Sequence, residues 1–235
     1  GEVDVLKFPT PRWHELDGGR FIGTGHGVVT MDPDSLLTNS GTYRVMIHDR
    51  GVLGCYMSPG RHGLIHCMKY WEKGRNAPVA IVCGYEPSLF VASGNAVATG
   101  VSEYDFAGWL RNGPIEIVRA PVTGLPVPAH AEIVIEGEIP PTSVETRPEG
   151  PFGEWRGYYD FDPPQPRPRV PVVHVRSVLH RNEPILLGAP PLKPPLTGER
   201  NVISSGMLWY DLEEKIGVED IAGVWALESG GPRLI

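Results

Sequence analysis

Two glutamates five residues apart, Glu149 and Glu154, sit in a run of Gly, Pro and aromatic residues that extends from Arg147 to Tyr159. Gly and Pro fix tight, irregular backbone, so both carboxylates are expected on a shaped loop walled by Phe152, Trp155, Tyr158 and Tyr159. A carboxyl held among aromatic rings is desolvated, which favours its neutral form and raises its pKa. Such a group can donate a proton near neutral pH, as a general acid does. A plain surface loop with two solvated glutamates uses the same residue types, so the stretch decides nothing alone.

Three other places carry residues capable of chemistry. Asn39-Ser40-Gly41-Thr42-Tyr43-Arg44 sets an Asn, small hydroxyls and an Arg at the head of a strand. Backbone amides and hydroxyls there suit a phosphate, the Asn carbonyl suits a hard cation, and Arg44 could grip a carboxylate in bidentate fashion. A turn capped by Asn39, with Arg44 on the surface, reads the same. His62 and His66 share one face of an expected helix at i, i+4, but without the accompanying glutamate that makes such a pair a metal motif. Glu103 is an ordinary first-turn acid behind Ser102. As a set, Asn39, His62 and Glu103 would form an O/N/O triad suited to Mn²⁺ or Mg²⁺. Arg44 would then pair with Glu149, leaving Glu154 for proton transfer.

The elements that must position these residues are mostly strands. With 29 Gly and 25 Pro in 235 residues, the chain favours turns and short strands over a helical bundle. Phe8 to Gly19 reads as an entering arm. Phe21 to Thr30 reads as a glycine-relieved strand; its glycines lack the GxGxxG spacing and no helix follows, so a dinucleotide loop is rejected. Thr42–His48 and Val52–Met57 make a hairpin about Asp49-Arg50-Gly51. A helix is expected over Gly60–Gly74, with Leu64, Met68 and Trp71 as its apolar stripe. Further strands are expected at Pro78–Cys83, Ile115–Val118, Val170–His180 and Pro184–Leu187. One or two helical turns fall at Glu86–Ser93, and a helix capped by Ser102 runs to about Arg111. Ala131–Ile139 alternates with period two, and Glu132, Val134, Glu136 and Glu138 are assigned to the wet face of a half-buried sheet rather than to a metal cage. Phe161–Arg169 is a proline-rich connector, Ala189–Gly198 a loop or edge segment, Asn201–Ile216 helical and Val218–Leu227 strand-like. The expected class is α+β, a small β-barrel or sandwich carrying helices.

The net charge of -7 gives no reason to expect nucleic acid, and no apolar run approaches a membrane span. Cys55, Cys67 and Cys83 form no zinc spacing and are expected as reduced, buried thiols of a cytoplasmic protein. Both ends read as cut from something longer.

In this order the sequence resembles the UbiD family of prenylated-flavin-dependent (de)carboxylases. The matching runs are Asn39 to Arg44, Arg61-His62 ahead of a helix ending in Trp71, Ser102 to Gly108, Val127 to Gly137, Glu149 to Glu154 with Gly157-Tyr158-Tyr159, and His180-Arg181 to Leu187. The resemblance implies a split β-barrel related to flavin reductases over 20–198, an arm over 1–19, and a helix and strand over 199–235 leading to a C-terminal domain. It implies that Asn39, His62 and Glu103 hold Mn²⁺ (or Mg²⁺) against the phosphate of prenylated FMN, with K⁺ nearby. Ser40, Thr42, Tyr43, Arg44 and Arg61 would line that cofactor. Arg44, Glu149 and Glu154 match the family's Glu-Arg-Glu catalytic set; the last acid is Asp in some members. The order of Arg and His before the helix varies within the family, which makes His62 the ligand that fits the pattern least closely.

The implied reaction is reversible, non-oxidative decarboxylation of an aromatic or α,β-unsaturated acid, with the cofactor as electron sink and Glu154 as proton donor. Implied partners are the carboxylic acid and CO₂, a flavin prenyltransferase as cofactor supplier, and further copies of the full-length form in a homo-oligomer. Family members are roughly twice this long, with a C-terminal domain closing over the cofactor. A truncated, non-catalytic flavin- or phosphate-binding module and a split-barrel flavin oxidoreductase are therefore kept as alternative readings.

Overall fold

Antiparallel pairing dominates the computed structural model, which describes residues 3–22, 25–95, 97, 100–154, 159–188 and 199–225. In chain order the elements are β1 (His26–Met31), β2 (Thr38–Gly41), β3 (Arg44–Asp49), β4 (Val52–Tyr56), α1 (His62–Glu72), β5 (Ala77–Cys83) and α2 (Pro87–Ser93). There follow α3 (Glu103–Leu110), β6 (Ile117–Arg119), β7 (Pro126–Pro128), β8 (Ile133–Ile139), β9 (Thr146–Glu149), β10 (Arg167–His180) and α4 (Glu199–Tyr210). The chain divides into two compact units, residues 1–153 with 159–190, and residues 154–158 with 191–235.

In the first unit the main sheet has eight strands in the order β2-β1-β5-β8-β10-β4-β3, with β9 added to β10. Its branching lies at β10, the longest strand: the first residues pair with β9, the last with β8, and the middle with β4. One strand thereby ties the β3–β4 hairpin to the end of β9, where Glu149 sits. This is the α+β architecture expected, with a large antiparallel sheet and few helices.

The centre of the sheet is covered on both faces, and the period of two sorts side chains between them. From β5, Val79, Ile81 and Cys83 enter one apolar cluster with Val28, Val45, Leu53, Ile133 and Ile135. Ala80 and Val82 enter a second with Leu89, Ala92, Ala107 and Val134, under α2 and α3. The wet face expected of β8 is therefore half wrong. Glu136 is fully buried and Val134 nearly so. Glu136 Oε2 accepts the Val122 and Thr123 amides at 3.0 and 2.8 Å and the Thr123 hydroxyl at 2.9 Å, closing the turn before β7. Glu138 does face outward, between Asn76 and Arg176.

Helix α1 packs Leu64 and Trp71 of its expected stripe against the core, but not Met68. Gly63, His66, Cys67 and Tyr70 are its buried residues, while Met68 is exposed. The reason is the strand beneath: Thr30 offers a hydroxyl, and His66 answers it with Nδ1 at 3.1 Å. The imidazole is held there because a buried hydroxyl without a partner is costly.

Other differences are local. Strand β1 starts at His26, and Phe21 contributes only an isolated bridge to Met46; Gly23 and Thr24 lie outside the described residues. Strand β10 takes in 167–169, which the prolines had marked as connector; pairing with the short β9 needs few amides. Pro184–Leu187 and Val218–Trp225 are irregular rather than strands, since neither segment finds a partner strand. Among the described residues of the second unit are α4 and a π-type turn, Asp211–Ile216, ended by Gly217 at φ 78°. The expected loop 189–198 and the end of the 218–227 segment lie outside the described residues. Among those described, no helix is long and apolar enough to cross a membrane.

Candidate active site

Strand β2 and the start of β3 carry most of the site, and they are pinned from three directions. Ser102, the N-cap of α3, accepts the Tyr104 amide and donates its hydroxyl to Thr38 C=O at 2.7 Å, fastening the helix start to β2. That places Glu103 against the strand, where its Oε2 accepts the Ser40 amide at 2.9 Å. The Ser40 hydroxyl bonds the Ser93 hydroxyl at 2.8 Å, and the Thr42 amide donates to Ser93 C=O at the end of α2. His26 Nε2 lies 2.6 Å from Tyr43 C=O.

Asn39 and Glu103 are buried, at 3% and 5% exposure. His62, at the first position of α1, is half-buried and acts electrostatically on Glu103. The structure thus brings together the three residues expected to hold a metal. Burial pushes the Glu103 carboxyl above the usual carboxylate range, against the pull of the Ser40 amide and His62. A buried carboxylate that accepts the Ser40 amide has room for a further positive partner. An Asn carbonyl, an imidazole and a carboxylate are suitable donors for a divalent cation such as Mn²⁺ or Mg²⁺, so these residues fit one. His66 is not part of the set: burial drives its imidazole down to about 4, and it is directed to Thr30.

The second half of the site is an ion pair across 105 residues of sequence. Arg44 Nε and Nη2 donate to the two oxygens of Glu149 at 2.8 and 2.7 Å. Glu149 is fully buried, and Arg44 has only a tenth of its side chain exposed. Its guanidinium lies between the rings of Tyr56 and Phe152, at 4.9 and 5.1 Å from their centroids. Burial pushes the Glu149 carboxyl up, opposed by the Arg44 charge. Asp160 Oδ2 approaches Arg44 Nη1 at 3.4 Å and is held by Arg167 at 2.9 Å. The Arg167 guanidinium also lies over Tyr56, 4.2 Å from the ring centroid.

The loop after Glu149 is clamped by the entering arm, which is no loose appendage. The buried Asp17 accepts the Gly153 amide at 2.8 Å and the His14 amide at 2.9 Å, and the Gly18 amide donates to Pro151 C=O. A Cβ on Gly18 would lie 1.9 Å from Gly150 C=O, so only glycine permits that approach. Phe152 packs on Phe21, ring centroids 4.5 Å apart. Glu154, half-buried, follows Gly153 directly and begins the short segment that groups with the second unit. Trp155 and Tyr158, expected as walls, lie outside the described residues.

Thr42 and Arg61 are exposed beside this region. The Tyr43 hydroxyl accepts the Gly63 amide and donates to Asn39 Oδ1. Sequence reasoning missed Tyr56, Asp17, Asp160 and Arg167. Tyr56 could have been found, because a hairpin about Asp49-Arg50-Gly51 sets it opposite Arg44, the register observed.

An antiparallel sheet that carries an Arg–Glu pair and an Asn–His–Glu group defines an α+β class with a polar site, and the comparisons give the family. The family model for the 3-octaprenyl-4-hydroxybenzoate carboxy-lyase (UbiD) Rift-related domain matches residues 1–194. The chain belongs to the UbiD family. Pyrrole-2-carboxylic acid decarboxylase of Pseudomonas aeruginosa is 39% identical over 197 residues, which cover 81% of this chain and 38% of the relative. Phenolic acid decarboxylase of Streptomyces sp. (strain D7) is 37% identical over 190 residues, 78% of this chain and 38% of the relative. Among solved structures, an evolved dimeric form of the UbiD-class enzyme HmfF from Pelotomaculum thermopropionicum, in complex with prFMN, superposes with a TM-score of 0.85 at 31% identity. It covers 99% of this chain and 52% of that one. The chain thus spans about two-fifths to one half of the relatives it matches.

Proposed function

We propose that this chain is the prenylated-FMN-binding domain of a carboxy-lyase that releases CO₂ from an aromatic or α,β-unsaturated carboxylic acid. The relatives named as decarboxylases act on substrates of that kind. The observation that carries the reading is the Arg44–Glu149 pair, a guanidinium oriented by a fully buried carboxylate. Asn39, His62 and Glu103 would hold Mn²⁺ (or Mg²⁺) and, through it, the cofactor phosphate. Ser40, Thr42, Tyr43 and Arg61 would line the cofactor, with K⁺ close by. When bound, the modified flavin supplies the electron sink that amino-acid side chains lack.

In this reading Glu149 fixes the plane of the Arg44 guanidinium, and Tyr56 and Phe152 exclude water from its faces. Arg44 orients the substrate carboxylate. Glu154 delivers a proton to the carbon that loses CO₂, and in the carboxylating direction takes it back. The domain would comprise 20–198, with 1–19 as arm and 199–235 leading on to the rest of a longer, homo-oligomeric cytoplasmic enzyme supplied by a flavin prenyltransferase. Cys55, Cys67 and Cys83 are free and buried, consistent with a reducing compartment.

The test is co-expression with a flavin prenyltransferase, then the ultraviolet-visible spectrum and mass of the extracted cofactor, and CO₂ release from phenolic, cinnamic and heteroaromatic acids. Prenylated FMN with CO₂ release supports the proposal; plain FMN with reductase activity supports a flavin oxidoreductase. A second reading, a binding module without turnover, draws on the share of its relatives that the chain spans. It predicts bound cofactor and no CO₂. Glu154→Gln is expected to abolish turnover while cofactor and metal content stay unchanged; retained turnover would rule out its acid role.

A further inference from the structure

The hydrogen bonds around Asn39 close into a ring that starts and ends on α1. The Gly63 amide, in the first turn, donates to the Tyr43 hydroxyl at 3.1 Å. The phenol proton is directed to Asn39 Oδ1, 3.4 Å away. Asn39 Nδ2 donates to Thr30 Oγ1 at 3.4 Å, and Thr30 Oγ1 shares a hydrogen bond with His66 Nδ1 at 3.1 Å. In this arrangement the oxygen of the Asn39 carboxamide lies on the Tyr43 side and its nitrogen on the Thr30 side.

That order matters because a carboxamide is nearly symmetric in shape but not in charge. Its oxygen has two lone pairs and its nitrogen only donors. Flipped, Asn39 would present NH₂ to both the phenol proton and any cation. We propose that Tyr43 and Thr30 are positioning residues that fix the Asn39 carboxamide with Oδ1 presented to a divalent cation. One lone pair is taken by Tyr43 and the other is directed to the metal. The inference rests on the reading of Asn39, His62 and Glu103 as the metal set. It also accounts for the burial of the Tyr43 ring against glycine: a Cβ on Gly63 would lie 2.5 Å from it. The same phenol also accepts the amide of Gly63, in the helix turn that carries His62. Partners behind a ligand commonly alter metal affinity by about 10–100-fold.

The experiment titrates Mn²⁺ into the purified chain, with free Mn²⁺ read by electron paramagnetic resonance and folding checked by thermal melting. Tyr43→Phe and Thr30→Val, which keep shape and remove a hydroxyl, are expected to weaken Mn²⁺ binding about tenfold. Asn39→Asp has oxygen on both sides and nothing to flip. Adding Tyr43→Phe to it should therefore cost little, an outcome that a merely structural role for Tyr43 would not give. If wild type binds Mn²⁺ in an Asn39-dependent way, with Asn39→Ala abolishing it, and both hydroxyl variants bind as tightly as wild type, the positioning role is overturned while the metal set stands. An equal loss from Tyr43→Phe in the wild-type and the Asn39→Asp backgrounds also overturns it. Mn²⁺ binding that is absent, or indifferent to Asn39→Ala, overturns the metal set and this inference with it.

Discussion

Arg44 and Glu149 illustrate how little of a buried charge can be changed alone. Each is satisfied by the other through two short hydrogen bonds, and removing one partner strands a charge in a dry site. Arg44→Met is expected to destabilise the fold by about 3 kcal/mol. Arg44→Met combined with Glu149→Gln should recover part of that loss, because no charge is left behind. Urea denaturation of the two variants checks this, and a double variant no more stable than the single one would contradict it. Glu136 gives a second case. Sequence periodicity assigns it to solvent, where substitution changes stability by within about 0.5 kcal/mol. Buried, with three donors on one oxygen, it should cost about 2 kcal/mol when replaced by Ala. The same denaturation experiment separates the two values.

At the scale of elements, the site is made where β1, β2 and the starts of α1 and α3 meet, and His26 is the titrating group built into that junction. Burial lowers its imidazole from 6.5 to about 4, partly offset by the bond to Tyr43 C=O. The unfolded chain therefore takes up a proton that the folded chain refuses. Stability from this group is complete above pH 6.5, falls as pH drops from 6.5 toward 4, and changes no further below that. His26→Gln can still donate to Tyr43 C=O but does not titrate. The stability gap between wild type and His26→Gln should shift against wild type by about 1.4 kcal/mol per pH unit near pH 5. A gap that stays constant from about pH 7.5 to about pH 5 would show that His26 takes up its proton as readily in the fold as in the unfolded chain. Strand and helix identity here were largely legible: β5, β8, α1 and α3 fall close to where periodicity and capping place them. The short β2, β7 and β9 were not legible, since runs of three or four residues carry too little pattern and exist because a neighbour pairs with them.

For the whole first unit, the sheet order converts sequence distance into proximity. Strand β10 joins the β3–β4 hairpin to β9, and so Arg44 meets an acid 105 residues away. The arm is drawn in by the same closure: Asp17 holds the Gly153 amide, a contact that no local pattern announces. Residue types and their order along the chain were enough to mark Asn39, Arg44, His62, Glu103, Glu149 and Glu154 as chemistry-bearing and to identify the family, because motifs are local and survive without coordinates. Which way each side chain faces was settled only by tertiary packing. His66 rather than Met68 lies under α1, Glu136 is inside, and Tyr43 serves Asn39, because a buried polar atom must find its partner wherever the fold brings one within about 3 Å.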